Sequence, residues 1–125
     1  MMTALVLLAL SAQAPPAAEP VEVEEVVVIA QRLRGWQGRL KGRDGQSVCT
    51  TTKSTGDPDI DAIGCAAATT CHQRLERKVL SMADRKLPRA TRRAIRTEVG
   101  RELGACVAAE RRRLIDVLRE QRRSR

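Results

Sequence analysis

Apolar and polar residues are patterned in four stretches of this chain, and each pattern predicts an element. From Asp57 to Asp84, DPDIDAIGCAAATTCHQRLERKVLSMAD, the apolar positions recur at helical spacing. Advancing about 100° per residue, Ile60, Gly64, Ala67, Cys71, Leu75 and Met82 fall within about 40° of Cys71, with Ile63 and Val79 at the flanks. Asp57 can cap this helix, Pro58 suits its first position, and Asp59 and Asp61 sit near the positive end of its dipole. A break at 85–88 follows, with Pro88 suited to the first position of a second helix. From Arg89 on, Ile95, Val99, Cys106 and Val117 share a sector with Leu103 and Leu114 at its edge. Glu102 and Glu110 interrupt that stripe, and Gly100 and Gly104 allow close approach or a kink.

Upstream, residues 36–54 read as a β-hairpin around Asp44-Gly45, a pair suited to a tight turn. Setting Arg43 opposite Gln46 pairs Leu40 with Cys49 and Gly38 with Thr51, which puts Trp36, Leu40 and Cys49 on one face. Gly35, Gly38 and Gly42 weaken the first strand, so a short one is expected. Val21–Ala30, VEVEEVVVIA, is β-branched and reads as an extended segment that would form a strand if it found a neighbour.

The four cysteines constrain how these pieces meet. Cys65 lies about 120° around the first helix from Cys71 and about 9 Å along its axis, so an intact helix keeps the two apart. A disulfide needs Cα atoms within roughly 7 Å. Each must therefore find a partner elsewhere. A short link between the helices implies an antiparallel pair, with Cys71 and Cys106 at compatible heights on facing stripes. That favours Cys71 with Cys106 and leaves Cys49 for Cys65; the competing arrangement joins 49 to 71 and 65 to 106. The expected fold is α+β: a short β-hairpin followed by two antiparallel helices, stapled by two disulfides.

Composition then bears on compartment. The chain has one Trp and no Phe or Tyr among 125 residues, so bulky core material is scarce and cross-links of about 2–4 kcal/mol each would matter. At the N-terminus, Ala4–Leu10 is a short apolar run followed by Ser11-Ala12-Gln13-Ala14, the pattern of a secretory signal with cleavage after Ala14, or else after Ala17 or Ala18. Export to an oxidising compartment agrees with paired cysteines. The expected organisation is a signal peptide over 1–18, an acidic extended or disordered arm over 19–34, and a disulfide-stabilised body over 35–125, in a periplasmic or secreted protein.

Within the arm, Glu24-Glu25-Val26-Val27-Val28-Ile29-Ala30-Gln31-Arg32 resembles the TonB box of TonB-dependent outer-membrane transporters, with Ile29 where Thr is usual. In those proteins the box pairs edge to edge with a strand of the TonB coupling protein. The resemblance covers nine residues and no plug or barrel; it implies Glu24, Glu25, Val26, Val27, Val28, Ile29 and Ala30 as a partner-binding segment for an envelope protein. The order of leader, box-like segment and small cysteine-bearing domain also resembles small secreted proteins of Gram-negative bacteria, which implies no particular function.

Candidate chemistry is sparse. A nucleophilic Cys71 with His72 would need side chains that helical neighbours point about 100° apart. Ala68-Thr69-Thr70-Cys71-His72 resembles the CxxCH haem-attachment site of c-type cytochromes without its first cysteine, and the CxxC spacings of structural zinc sites are missing. We therefore expect no catalytic, cofactor or metal site. The alternative is a small periplasmic enzyme or metal- or haem-binding protein using Cys71 and His72.

Charge is the remaining feature. The formal net charge is +8, and from Arg85 onward fourteen Arg and Lys stand against five Asp and Glu. A basic helix can meet an anionic lipid surface, an acidic protein face or nucleic acid. One aromatic gives no stacking platform for single strands, and export removes most nucleic acid from reach. The expected function is therefore a binding or interaction protein with two handles, the box-like arm and a basic C-terminal helix for an anionic envelope surface.

Overall fold

The structure, a computed structural model, describes residues 20–43 and 46–125; the expected signal segment 1–18 and the Asp44-Gly45 turn lie outside the described residues. Chain order is α1 (Pro20–Arg34), β1 (Gln37–Arg43), β2 (Gln46–Lys53), α2 (Pro58–Arg74), α3 (Glu76–Ser81) and α4 (Arg89–Arg123). The architecture is the expected α+β one, a hairpin and an antiparallel helical pair carrying two disulfides, with a further helix in front.

Both bridges join the expected partners. Cys49 pairs with Cys65, fastening β2 to α2, and Cys71 pairs with Cys106, fastening α2 to the middle of α4. The Cα separations are 5.6 and 5.8 Å, inside the range a disulfide requires. The hairpin takes the expected register, with Leu40 opposite Cys49, Gly38 opposite Thr51 and Arg43 opposite Gln46. The pairing shifts by one between Gln37 and Gly38, since Gln37 pairs with Lys53, and Thr52 is left as the extra residue of a bulge. Leu40 and Cys49 turn inward, whereas Arg39, Lys41, Val48 and Thr50 face solvent.

The glycines of the first strand do not shorten it, because one of them is required there. The Trp36 ring lies directly on Gly38 and, from its other contacts, on Gly64 of α2. A Cβ at Gly38 would come within 2.3 Å of the ring, and one at Gly64 within 2.4 Å. The indole Nε1 donates to Thr51 Oγ1 at 3.0 Å, opposite Gly38, and the Arg111 guanidinium from α4 stands 5.7 Å from the ring centroid. Ile29 and Leu33 of α1, Ile60 and Ile63 of α2, and Ile115 and Leu118 of α4 complete this core.

Three expectations need correction. First, Pro20–Arg34 is a helix, neither extended nor disordered, and it is part of the body. Val26, Ile29, Ala30 and Leu33 fall at i, i+3, i+4 and i+7, an apolar helical stripe, and Ile29 and Leu33 are only 1% and 2% exposed. Burying that stripe against α2 and α4 outweighs the β preference of Val and Ile, which is mostly a preference for packing on a pleated surface. Second, the central helix is interrupted. Leu75, with φ −103° and ψ 10°, ends α2 and starts α3, so the chain turns before running on along α4. Third, Pro88 is the cap of α4 rather than its first residue, and α4 runs for 35 residues through Gly100 and Gly104. Nothing lies within 4 Å of where a Cβ would stand at either glycine, so neither serves a close approach.

The glycines supply a test with opposite signs. Alanine in a helix is ordinarily better than glycine by about 1 kcal/mol, and Gly100→Ala or Gly104→Ala should raise stability by about that amount in urea unfolding. Gly64→Ala should instead lower it by about 1–3 kcal/mol, because the indole must leave its seat, with a change in Trp36 fluorescence. A second test separates a packed helix from an arm. Ile29→Ala should cost about 2–5 kcal/mol in the same assay, whereas truncation in an unattached segment would cost nothing measurable.

Candidate functional site

With eleven Arg and five Asp and Glu, the long helix α4 carries most of the protein's formal net charge of +8, and its acids and bases are handled differently. The glutamates that interrupt its apolar stripe are bridges to the facing helices. Glu110 is 6% exposed and accepts from Arg113 at 2.9 Å and from Arg74 of α2 at 3.3 Å. Arg113 first, then Arg74, hold its carboxyl below the ordinary value. Lys78 of α3 reaches Glu102 at 2.7 Å and Glu98 at 3.0 Å, which raises the pKa of the ammonium. At the far end, Arg122 donates to Asp57, the residue whose carboxylate also caps α2 by accepting from the Asp59 N–H at 3.0 Å. The Arg122 hydrogen bond is the main cause of a lowered Asp57 pKa. Next to it, Asp61 accepts from the Ser54 hydroxyl and from the N–H and hydroxyl of Thr55, which fixes the loop into α2 and lowers the Asp61 pKa.

The arginines at the start of α4 have no such partners. Arg89, Arg92, Arg93 and Arg96 fall at i, i+3, i+4 and i+7, so one helical face carries all four, and together they line a cavity of about 230 Å³. Among the described residues none of the four makes an ion pair or a side-chain hydrogen bond. Arg92 is half-buried, and its Nε is shut off from solvent without a partner. Residues 85–97 contain six Arg and Lys and no Asp or Glu. The helix begins here with no acidic residue in its first turn and no side-chain cap. Four like charges thus stand at the end of the dipole that favours anions.

The other candidate residues are placed as follows. Glu24–Ala30 lies within α1. Ile29 is in the core, Val26 and Ala30 pack against it, and Val27 and Val28 face outward. Glu24, Glu25 and Val28 line a groove of about 440 Å³ with Ile60 and Arg122. For this segment to pair as a strand with a partner, α1 would have to unwind and withdraw Ile29 and Leu33. Cys71 is fully buried and bonded to Cys106, and the half-buried His72 follows it on α2. Among the described residues no three His, Cys, Asp or Glu side chains gather where a metal ion could be held, and no helix is long and apolar enough to cross a membrane.

Counting charges along the sequence reveals a basic C-terminal segment but not its division into paired and unpaired parts. The missed signal was available in the acid-free run 85–97 and in the i, i+3, i+4, i+7 spacing of four arginines. The chain matches no protein-family model, no curated protein and no solved structure.

The paired carboxylates dictate a direction for acid sensitivity. Asp57 and Glu110 have folded pKa values below their ordinary 3.8 and 4.5, so their contribution is complete above those values and disappears as pH falls through the depressed ones. Stability should therefore be level near neutrality and drop below about pH 4. Asp57→Asn keeps the cap but removes the ion pair with Arg122. It should lower stability near neutrality and flatten the acid decline, as read from urea midpoints across pH.

Proposed function

We propose that this is an exported, periplasmic or secreted interaction protein that docks through α4 onto an anionic envelope surface. The observation that carries this reading is the asymmetry of charge on the long helix: three of its acids are engaged with Lys78, Arg74 and Arg113, while most of its arginines face water. A +8 chain presenting such a helix is drawn to anionic surfaces over a range set by salt. The secretory pattern at the N-terminus and two disulfides in a body with little bulky core support the address. The single aromatic, Trp36, is buried, which leaves no base-stacking platform and weighs against nucleic acid as the partner. The box-like segment is the weaker handle, because its Ile29 belongs to the core.

Vesicle co-sedimentation tests the reading. Purified protein should pellet with vesicles containing 30% phosphatidylglycerol (about one anionic lipid in three) and not with pure phosphatidylcholine vesicles. Binding should fall by about tenfold or more between about 50 and 500 mM salt. Failure to bind at low salt, or binding that ignores salt, would contradict the proposal.

A further inference from the structure

The unpartnered arginines point to a more specific contact than a diffuse positive field. Elsewhere on α3 and α4 the protein neutralises charge locally: Lys78 sits between two glutamates, and Glu110 between two arginines. At the start of α4 it does the reverse. Arg89, Arg92, Arg93 and Arg96 repel one another over about 10 Å of helix, where the dipole opposes positive charge as well. Asp84, the only carboxylate between Glu76 and Glu98, accepts from the Lys86 N–H and makes no ion pair with any of the four. The cavity among them, about 230 Å³, has room for a phosphate group, and guanidinium forks match phosphate oxygens in bidentate geometry. Arg92 is half-buried, and its Nε, like those of Arg111 and Arg119, is closed off from water and unpaired, so its guanidinium is already partly desolvated where it lines the cavity.

We propose that Arg89, Arg92, Arg93 and Arg96 form a phosphate-binding site through which the start of α4 grips the phosphate headgroups of anionic lipids. The inference rests on the reading of α4 as a surface-docking helix and narrows it to four residues. Lipid phosphate is preferred over nucleic acid because the site has no aromatic side chain beside it. It is preferred over free phosphate because the site lies on an exposed helix face that a surface can approach, with Arg85 and Lys86 adjoining it.

The test compares two triple variants with equal loss of charge. Arg92→Gln, Arg93→Gln and Arg96→Gln together disrupt the site; Arg101→Gln, Arg112→Gln and Arg125→Gln remove three exposed charges outside it. Vesicles containing 30% phosphatidic acid, the same vesicles with phosphatidylglycerol, and inorganic pyrophosphate are the probes. The site variant should lose about tenfold or more in vesicle binding and the control variant less than about threefold. The site variant should melt at or above the wild-type temperature, since removing like charges from this helix end relieves strain, so lost binding cannot be attributed to unfolding. Equal losses in the two variants would overturn the site while leaving the surface-docking reading intact. No wild-type binding to either vesicle would overturn both. Saturable wild-type binding of pyrophosphate without vesicle binding, or tighter binding of an oligonucleotide than of vesicles, would overturn the lipid assignment.

Discussion

One side chain, Trp36, holds the parts of this protein in register. Its ring meets the hairpin at Gly38 and Thr51, α2 at Gly64 and α4 at Arg111, and only Gly35 separates it from the end of α1. A sequence with no Phe or Tyr has no other large flat surface with which to join three elements. The indole can lie this close only because two facing positions lack a Cβ, so the two glycines and the ring form one packing unit. Burying so large a side chain contributes more than any single aliphatic residue here, and its N–H is satisfied by Thr51. Around that unit the aliphatic core assembles from Ile29, Leu33, Ile60, Ile63, Ile115 and Leu118.

The placement of that core leaves the molecule uneven along α4. One end carries the core, the hairpin and the Cys49–Cys65 bridge. The other consists of α3, the turn at 82–88 and the start of α4, where among the described residues Val99 is the only buried side chain beyond the second bridge. Exposed pairs such as those of Lys78 contribute little in water, so they cannot replace a core. The Cys71–Cys106 bridge does. It closes the whole segment from α3 to the start of α4 and restricts what that segment can do when unfolded.

Much of this was legible from residue spacing, and the failures have physical causes. The hairpin register followed from centring a tight turn on Asp44-Gly45, which then put Trp36, Leu40 and Cys49 on one face, and the disulfide pairing followed from helical angles and rise in an antiparallel pair. Both are rigid geometric constraints. The helical nature of Pro20–Arg34 was hidden by its valines, whose β preference is weak and context-dependent, although Val26, Ile29, Ala30 and Leu33 already marked a helical stripe. Gly38 read as a weakness of its strand and Gly64 as one more position of the apolar stripe, because only the position of the indole reveals them as seats. The glutamates of α4 looked like defects in an apolar stripe, since partners on another helix are invisible to periodicity. The arginine quartet was counted with the rest of the charge, because a lack of partners can be seen only once every neighbour has a position.

The uneven architecture also bears on why unpaired charge can persist where it does. In a segment held by packing, four like charges on one helix face would act directly against the core that holds it, and a few kcal/mol decides between folded and unfolded states. Here the segment is tethered by a covalent bond whose effect does not depend on nearby apolar contacts. The repulsion among Arg89, Arg92, Arg93 and Arg96 is confined to turns about 28–39 Å along α4 from the core around Ile115. At that distance, far beyond the screening length of about 8 Å at physiological salt, it leaves the Trp36 unit undisturbed. Stability and the unpaired arginine quartet thus lie toward opposite ends of one helix, with the Cys71–Cys106 cystine between them, so the covalent tether rather than a core holds the end where the like charges gather.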